Sequence, residues 1–138
     1  AGITTTQTAA LESGDLNKVS TAAFAALNTA VVSGLSGTQV GALTSAQVTA
    51  LTTAQAAALT STQTAGLTTS QAASLVTAQV SGLSSAQVDS LESQDLGSLS
   101  TAVVASLGTT ALAGLDDGQL AGMTSTQVGS LTTQQVQR

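Results

Sequence analysis

The sequence predicts an all-α solenoid in which each eight-residue repeat, here called an octad, forms one very short helix. Two observations lead to this prediction. A large aliphatic residue recurs at every eighth position, and the positions after it carry residue types that begin and cap helices. A long continuous helix is excluded because each residue advances about 100° around its axis, so an eight-residue period would spread the apolar side chains over all sides.

The repeat fills the chain, residues 1–138, as a single array of seventeen octads beginning at Ile3. Position one of each octad, called the anchor, is always aliphatic or Met. Position five is Gln in eleven octads, and position six is a bulky apolar residue in thirteen. The anchors are Ile3, Leu11, Val19, Leu27, Leu35, Leu43, Leu51, Leu59, Leu67, Leu75, Leu83, Leu91, Leu99, Leu107, Leu115, Met123 and Leu131.

The octad that begins at Leu43 shows how one helix is built. Thr44 stands at the N-cap and Gln47 follows three residues later, which is the spacing of a capping box. Leu43 and Val48 flank this pair with the spacing of a hydrophobic staple. We expect the small residues at positions seven and eight to allow a tight C-terminal turn, especially where they are glycine: Gly34, Gly66, Gly82, Gly114 and Gly122.

Helices of about six residues do not persist alone in water, because helix nucleation is costly. The octads must therefore coil into a solenoid that buries the anchors and the position-six side chains. A β-solenoid that bends at the Ser, Thr and Gly positions is the alternative. It is less favoured because positions one and six have opposite parity, and because Ala, Leu and Gln are not typical of strands. The number of octads per coil stays open.

A longer period of eighty residues is superimposed on the octad. The segment Leu11–Leu16 recurs as Leu91–Leu96, and Ser20–Ala22 recurs as Ser100–Ala102. Both regions then lose the Gln at position five. We expect these octads to lack the capping box, to mark a different wall of the solenoid, and to be the first place to look for contacts between copies; the residues at position five are Ala23, Val31, Val103 and Ala111.

The composition argues against catalysis. The chain has no Cys and no His, so neither a histidine-based nucleophilic triad nor a thiolate metal site can be assembled. A net charge of −5, with Lys18 and Arg138 as the two basic residues, argues against nucleic-acid binding. No apolar run reaches the roughly 18 residues of a membrane span. We expect no enzyme activity, no catalytic, cofactor-binding or metal-binding residue, and no small-molecule substrate.

The carboxylates are the remaining candidates for chemistry. A calcium site is conceivable, but the simpler interpretation places these acids at N-caps and at position N3, where the helix dipole favours anions. The N-cap acids are Glu12, Glu92 and Asp116, the N3 acids are Asp15 and Asp95, and Asp117 is the neighbour of Asp116. The rows of Thr and Ser side chains have two possible roles: they cap the helices, or they form an ice-binding face. Ice binding predicts Thr without Ser along one column. The Gln rows act as capping partners or as an intermolecular amide ladder.

Units such as Leu43-Thr-Ser-Ala-Gln-Val, Leu83-Ser-Ser-Ala-Gln-Val and Met123-Thr-Ser-Thr-Gln-Val resemble the octapeptide arrays of very large proteobacterial repeat proteins. The Leu-Glu-Ser-x-Asp-Leu variant shares this resemblance. It implies an extracellular or bacterial cell-surface location and no established activity.

The sequence therefore predicts an extracellular structural repeat protein that self-assembles into a filament, fibre or surface layer by solenoid stacking. The expected partners are copies of the same chain, head to tail and possibly lateral. The first and last octads resemble interior ones, which indicates either a fragment of a longer array or ends that dock on each other. The alternative is an adhesin stalk or an ice-binding module that presents Thr and Ser rows.

Overall fold

The computed structural model describes residues 4–137 and confirms the all-α solenoid. Each octad contributes one helix of four to six residues, and the described residues contain no strand. Ile3 and Arg138 lie outside the described residues. The helices are α1 Thr5–Ala9, α2 Ser13–Leu16, α3 Thr21–Ala25, α4 Thr29–Ser33, α5 Gly37–Gly41, α6 Ser45–Thr49, α7 Thr53–Ala57, α8 Ser61–Ala65, α9 Thr69–Ala73, α10 Thr77–Val80, α11 Ser85–Asp89, α12 Ser93–Ser98, α13 Thr101–Ser106, α14 Thr109–Ala113, α15 Asp117–Gly122, α16 Ser125–Gly129 and α17 Thr133–Val136.

The helices begin where the sequence predicts, at position three of each octad, with position two as the N-cap. In α6 the Thr44 hydroxyl accepts from the Gln47 backbone N–H at 3.2 Å, and Gln47 Oε1 accepts from the Thr44 backbone N–H at 2.9 Å. This reciprocal box satisfies two of the helix's free N–H groups. In α10 the N-cap is Val76, so only the Gln79 half of the box is present, at 3.1 Å.

Three helices make one coil of the solenoid. Each helix packs against the helix three octads later, as in α1 with α4, α2 with α5 and α3 with α6. The solenoid therefore has three walls: wall 1 holds α1, α4, α7, α10, α13 and α16; wall 2 holds α2, α5, α8, α11, α14 and α17; wall 3 holds α3, α6, α9, α12 and α15. Twenty-four residues separate equivalent positions in successive coils.

The core runs the length of the solenoid and is built from the anchors and the position-six side chains, as predicted. Phe24 is fully buried, and Leu16 and Leu96 are each 1% exposed. Leu120, Val128 and Val136 are exceptions at 46%, 51% and 61% exposure. These three residues belong to the last described octads, where no further coil lies over position six. Position-six side chains are therefore buried by the coil that follows their own.

Glycines stand at the C-terminal turns, as the sequence predicts, since Gly34, Gly66 and Gly114 are C-caps. The turn itself does not require glycine, because its backbone is right-handed and no described glycine has a positive φ. At some positions glycine also allows close approach between coils. A Cβ on Gly66 would lie 2.6 Å from the Gly37 carbonyl oxygen, closer than any side chain permits.

Candidate functional site: the glutamine clamps and the acidic groove

The Gln at position five joins each coil to the one before it. Gln63 Nε2 donates to the backbone carbonyl oxygens of Val32 at 2.9 Å and Leu35 at 2.6 Å, while Gln63 Oε1 accepts from the Thr60 backbone N–H at 2.7 Å. The Gln63 side chain is 1% exposed. One amide thus caps its own helix and ties the carbonyl ends of the preceding coil, and we call this arrangement a glutamine clamp.

The clamp recurs along the described chain. Its Nε2 atom always donates to the anchor carbonyl 28 residues earlier, at 2.6–2.8 Å. The ten clamping residues are Gln39, Gln47, Gln55, Gln63, Gln71, Gln79, Gln87, Gln119, Gln127 and Gln135. Gln7 is exposed, and its Oε1 accepts from the backbone N–H and the hydroxyl of Thr4. Within residues 4–137 its Nε2 has no hydrogen-bond partner. Sequence reasoning found the capping half of this arrangement but missed the contact between coils.

The Gln-free octads do not mark one wall. Ala23 lies on wall 3 and Val31 on wall 1, whereas Val103 lies on wall 1 and Ala111 on wall 2. The expectation of a separate wall was wrong because a coil holds three octads, so consecutive octads always fall on different walls. These octads do lack the capping box, as expected, since a position-five Ala or Val has no side-chain acceptor.

The carboxylates stand where the sequence places them, but they do not all cap. Asp116 accepts from the Gln119 backbone N–H at 2.7 Å. Glu12 and Glu92 occupy N-caps without a side-chain capping bond. Asp15 lies at N3 of α2 and pairs with Lys18 at 3.3 Å on the surface. A surface pair of this kind contributes little to stability.

Asp95, at N3 of α12, differs from Asp15 because it is only 2% exposed. Burial raises the pKa of the Asp95 carboxyl above its ordinary value, and the nearby Glu92 charge raises it further. The Thr69 side chain and the Glu92 backbone oppose this increase in pKa through hydrogen bonding. Asp95 is therefore a buried acid at a position where most octads carry a clamping amide.

An acidic groove of about 420 Å³ lies between α11, α12 and α15. Asp89, Glu92 and Asp116 contribute its carboxylates, and Ser93 and Gln119 also line it. Within residues 4–137 no group of three or more acidic side chains is arranged to hold a metal ion. Asp117, the last of the acidic candidates, is an exposed residue in the first turn of α15 and does not line the groove.

The three walls differ in charge. None of the octads on wall 1 contains a charged residue, so all charges of the chain belong to octads of walls 2 and 3. Wall 1 also carries a column of exposed hydroxyls at position three, one per coil. Its members are Thr5, Thr29, Thr53, Thr77, Thr101 and Ser125. Walls 2 and 3 have mixed columns at the same position.

No helix among the described residues is long and apolar enough to cross a membrane. The comparisons with curated proteins and with solved structures found no significant match.

The family model of the ALTTAQ repeat matches the chain twice, at residues 8–45 and 88–125. The two matches begin eighty residues apart and together cover more than half of the chain. Residues 50–55, between the two matches, read Ala-Leu-Thr-Thr-Ala-Gln. In this hexapeptide Leu51 is the anchor, Thr52 the N-cap and Gln55 the clamp. The chain belongs to the ALTTAQ repeat family.

Proposed function

We propose that this chain is a non-enzymatic, extracellular structural repeat protein whose solenoids stack end to end into a filament, fibre or surface layer. The observation that carries the proposal is the joint between coils. Most joints use the same contacts, namely a position-six side chain covered by the next coil and a clamp donated to the coil before. A surface that repeats in this way accepts a further coil, whichever chain supplies it.

Two surfaces in the structure support stacking. Leu120, Val128 and Val136 present apolar side chains on the last described coil. Gln7 on the first described coil presents an exposed amide whose Nε2 does not donate to any carbonyl of the described coils. Within the solenoid, the equivalents of these groups meet each other. The proposed extracellular location follows the resemblance to surface arrays, and immunogold labelling of the producing cells tests it.

The assembly is tested by electron microscopy and sedimentation velocity of the purified chain. We expect ordered fibres whose formation is strongly reduced by Val128→Glu, because a carboxylate would then be buried in the joint. Val76→Glu is the matched control. Val76 is also exposed, at 40%, but it lies at an N-cap on wall 1, away from the stacking surface. Dispersed monomers of the unmodified chain at all concentrations would overturn the proposal.

Ice binding is a second candidate, favoured by the hydroxyl column of wall 1. Five of its six members are Thr, the column repeats once per coil, and the wall has no charge. Regularly spaced hydroxyl and methyl groups on a rigid, uncharged face hold water in a fixed arrangement, whereas charges would disturb it.

Ice-recrystallisation assays separate this candidate from the first. We expect inhibition by the natural chain and its loss in Thr53→Glu/Thr77→Glu, which places two charges on wall 1. Thr109→Glu/Thr133→Glu carries the same substitutions at the same octad position on wall 2 and should retain the activity. Equal behaviour of the two variants would exclude the column as the binding face.

A further inference from the structure

Three successive octads in the second half of the chain lack the clamp. Position five is Asp95 in α12, Val103 in α13 and Ala111 in α14. Because three octads complete one coil, these residues occupy one position on each of the three walls. The whole joint between α12–α14 and the preceding coil, α9–α11, is therefore without a glutamine clamp, and we call it the unclamped joint.

The backbone carbonyls of the preceding coil, α9–α11, lack hydrogen bonds that the other coils receive. Where position five is Gln in a coil that follows another described coil, the anchor carbonyl 28 residues earlier accepts its amide, as Leu59 does from Gln87 at 2.6 Å and Leu91 from Gln119 at 2.8 Å. The anchors Leu67, Leu75 and Leu83 receive none. Val103 and Ala111 have no side-chain donor, and an ionised Asp95 accepts hydrogen bonds but cannot donate one.

Apolar contact and a few weaker polar contacts hold the unclamped joint. Val103 and Ala111 are 2% and 4% exposed, Ser98 Oγ donates to the Thr69 carbonyl at 3.2 Å, and the Thr69 side chain is hydrogen-bonded to Asp95 across the joint. One clamp of the following coil also reaches across the boundary, since Gln119 Nε2 donates to the Asp89 carbonyl of α11 at 2.7 Å. Apolar burial stabilises the joint without fixing direction, whereas each clamp fixes two carbonyls of the preceding coil. The joint lacks these directional bonds on all three walls at once, and it includes a buried carboxyl group.

We propose that the unclamped joint opens before the clamped joints, so that α1–α11 and α12–α17 behave as separately unfolding blocks of one solenoid. Gln39 and Gln47 tie α1–α3 to the first block. The proposal rests on the hydrogen bonds of the fold and not on the proposed assembly. Heat or tension would then separate two blocks at this joint. Of the clamp bonds, only the one from Gln119 to the Asp89 carbonyl would break, and Gln119 would keep its bond to the Leu91 carbonyl.

Native-state hydrogen exchange of the whole chain in low urea tests the proposal. We expect two groups of amides with different opening free energies and a boundary between α11 and α12. In the variant Asp95→Gln/Val103→Gln/Ala111→Gln we expect the boundary to disappear. The exchange rate of the more labile block should then fall at least about tenfold, because three amides would reach the Leu67, Leu75 and Leu83 carbonyls.

A second variant moves the gap. The variant with glutamine at positions 95, 103 and 111 is changed further by Gln63→Asp/Gln71→Val/Gln79→Ala. These substitutions transfer the same three residue types to α8–α10, so the boundary should move to between α7 and α8. If either variant fails to fold, the boundary in the unmodified chain still decides the matter. A single cooperative unit, or a first opening at a clamped joint, would overturn the proposal.

Discussion

The two segments that match the family model, residues 8–45 and 88–125, carry similar sequences in different surroundings. Glu12, Ser13 and Asp15 of the first segment recur as Glu92, Ser93 and Asp95 in the second. Asp15 is exposed and pairs with Lys18, whereas Asp95 is buried. The local structure is nevertheless the same, because both acids stand at N3 of a short helix that follows a glutamate N-cap.

The difference arises from stacking and not from the octad itself. Position five faces the coil that precedes its own, and no described coil precedes α1–α3. The same residue type is therefore a surface group in one segment and an interior group in the other. An octad therefore encodes its own helix, while the octads three places away determine which of its side chains are buried.

We expect the largest effect on stability from removing the glutamine clamp at Gln87, compared with the same substitution at Gln7, its counterpart eighty residues earlier. Gln87→Ala leaves the Ala56 and Leu59 carbonyls without their amide donor and creates a cavity. We expect it to destabilise the fold by about 3–5 kcal/mol. Gln7→Ala should cost about 0.5–1 kcal/mol, because the exposed Gln7 only caps α1.

Urea denaturation followed by circular dichroism measures both values. Similar losses for the two substitutions would show that capping, and not the bond between coils, accounts for the contribution of glutamine.

Replacing a glycine of one segment by the residue at the corresponding position of the other should have a moderate effect on stability. A Cβ on Gly97 would lie 2.5 Å from the Gly122 carbonyl oxygen, so Gly97→Asn, which imports the residue at position 17, should destabilise by about 1–3 kcal/mol. Nothing lies within 4 Å of a Cβ on Gly14, so Gly14→Gln should stabilise by about 0.5 kcal/mol. Thermal unfolding checks the opposite signs, and equal signs would contradict the close approach of α12 and α15.

The two aspartates should differ in their pH dependence. The raised pKa of Asp95 means that the folded state favours its protonated form, so its contribution to stability is present below about pH 3.8 and is lost as the pH rises through the raised pKa. Asp95→Asn should therefore make the protein more stable at pH 7, and it should reduce the change in unfolding free energy as the pH rises. Asp15→Asn is the control on the surface. Unfolding free energies measured from pH 3 to pH 8 test the difference, and an unchanged profile in Asp95→Asn would contradict it.

The smallest effect is expected at an N-cap that differs between the segments. Asn28 accepts from the Val31 backbone N–H at 2.9 Å, whereas its counterpart Gly108 has no side chain to cap α14. Gly108→Asn should stabilise by a few tenths of a kcal/mol, and Asn28→Gly should cost a similar amount. Paired urea titrations resolve the two shifts. A gain much larger than this would indicate that the introduced amide makes contacts beyond its own helix.

The short helices and their caps are predictable from sequence because they depend on residues within one octad. In α6 the N-cap Thr44, the N3 residue Gln47 and the following Val48 are enough to predict the helix, and the structure places each of them as expected. The apolar core is predictable for the same reason, since anchors and position-six residues recur in register.

The contacts between coils are not predictable in this way. The number of octads per coil depends on how helices pack three octads apart, and no single octad contains that information. The second role of Gln63 follows only once Leu35 is known to lie below it. The second role of Gly66 is hidden for the same reason: its place at the C-cap of α8 follows from its own octad, but the Gly37 backbone against which it packs is far away in sequence.

The eighty-residue period exceeds three coils by one octad, so the second segment is turned by one wall relative to the first. Glu12 projects from wall 2 and Glu92 from wall 3. Where such a pattern continues, its acidic motifs follow a screw around the shaft instead of a straight line along it. Like charges then face different directions and are more than three coils apart along the axis. At a helix-to-helix spacing of about 8–10 Å per coil, this separation exceeds the screening length of about 10 Å in salt. Because eighty residues are not a whole number of 24-residue coils, the acidic motifs of a long array are distributed over all three walls, and no one wall of the rod carries all the charge.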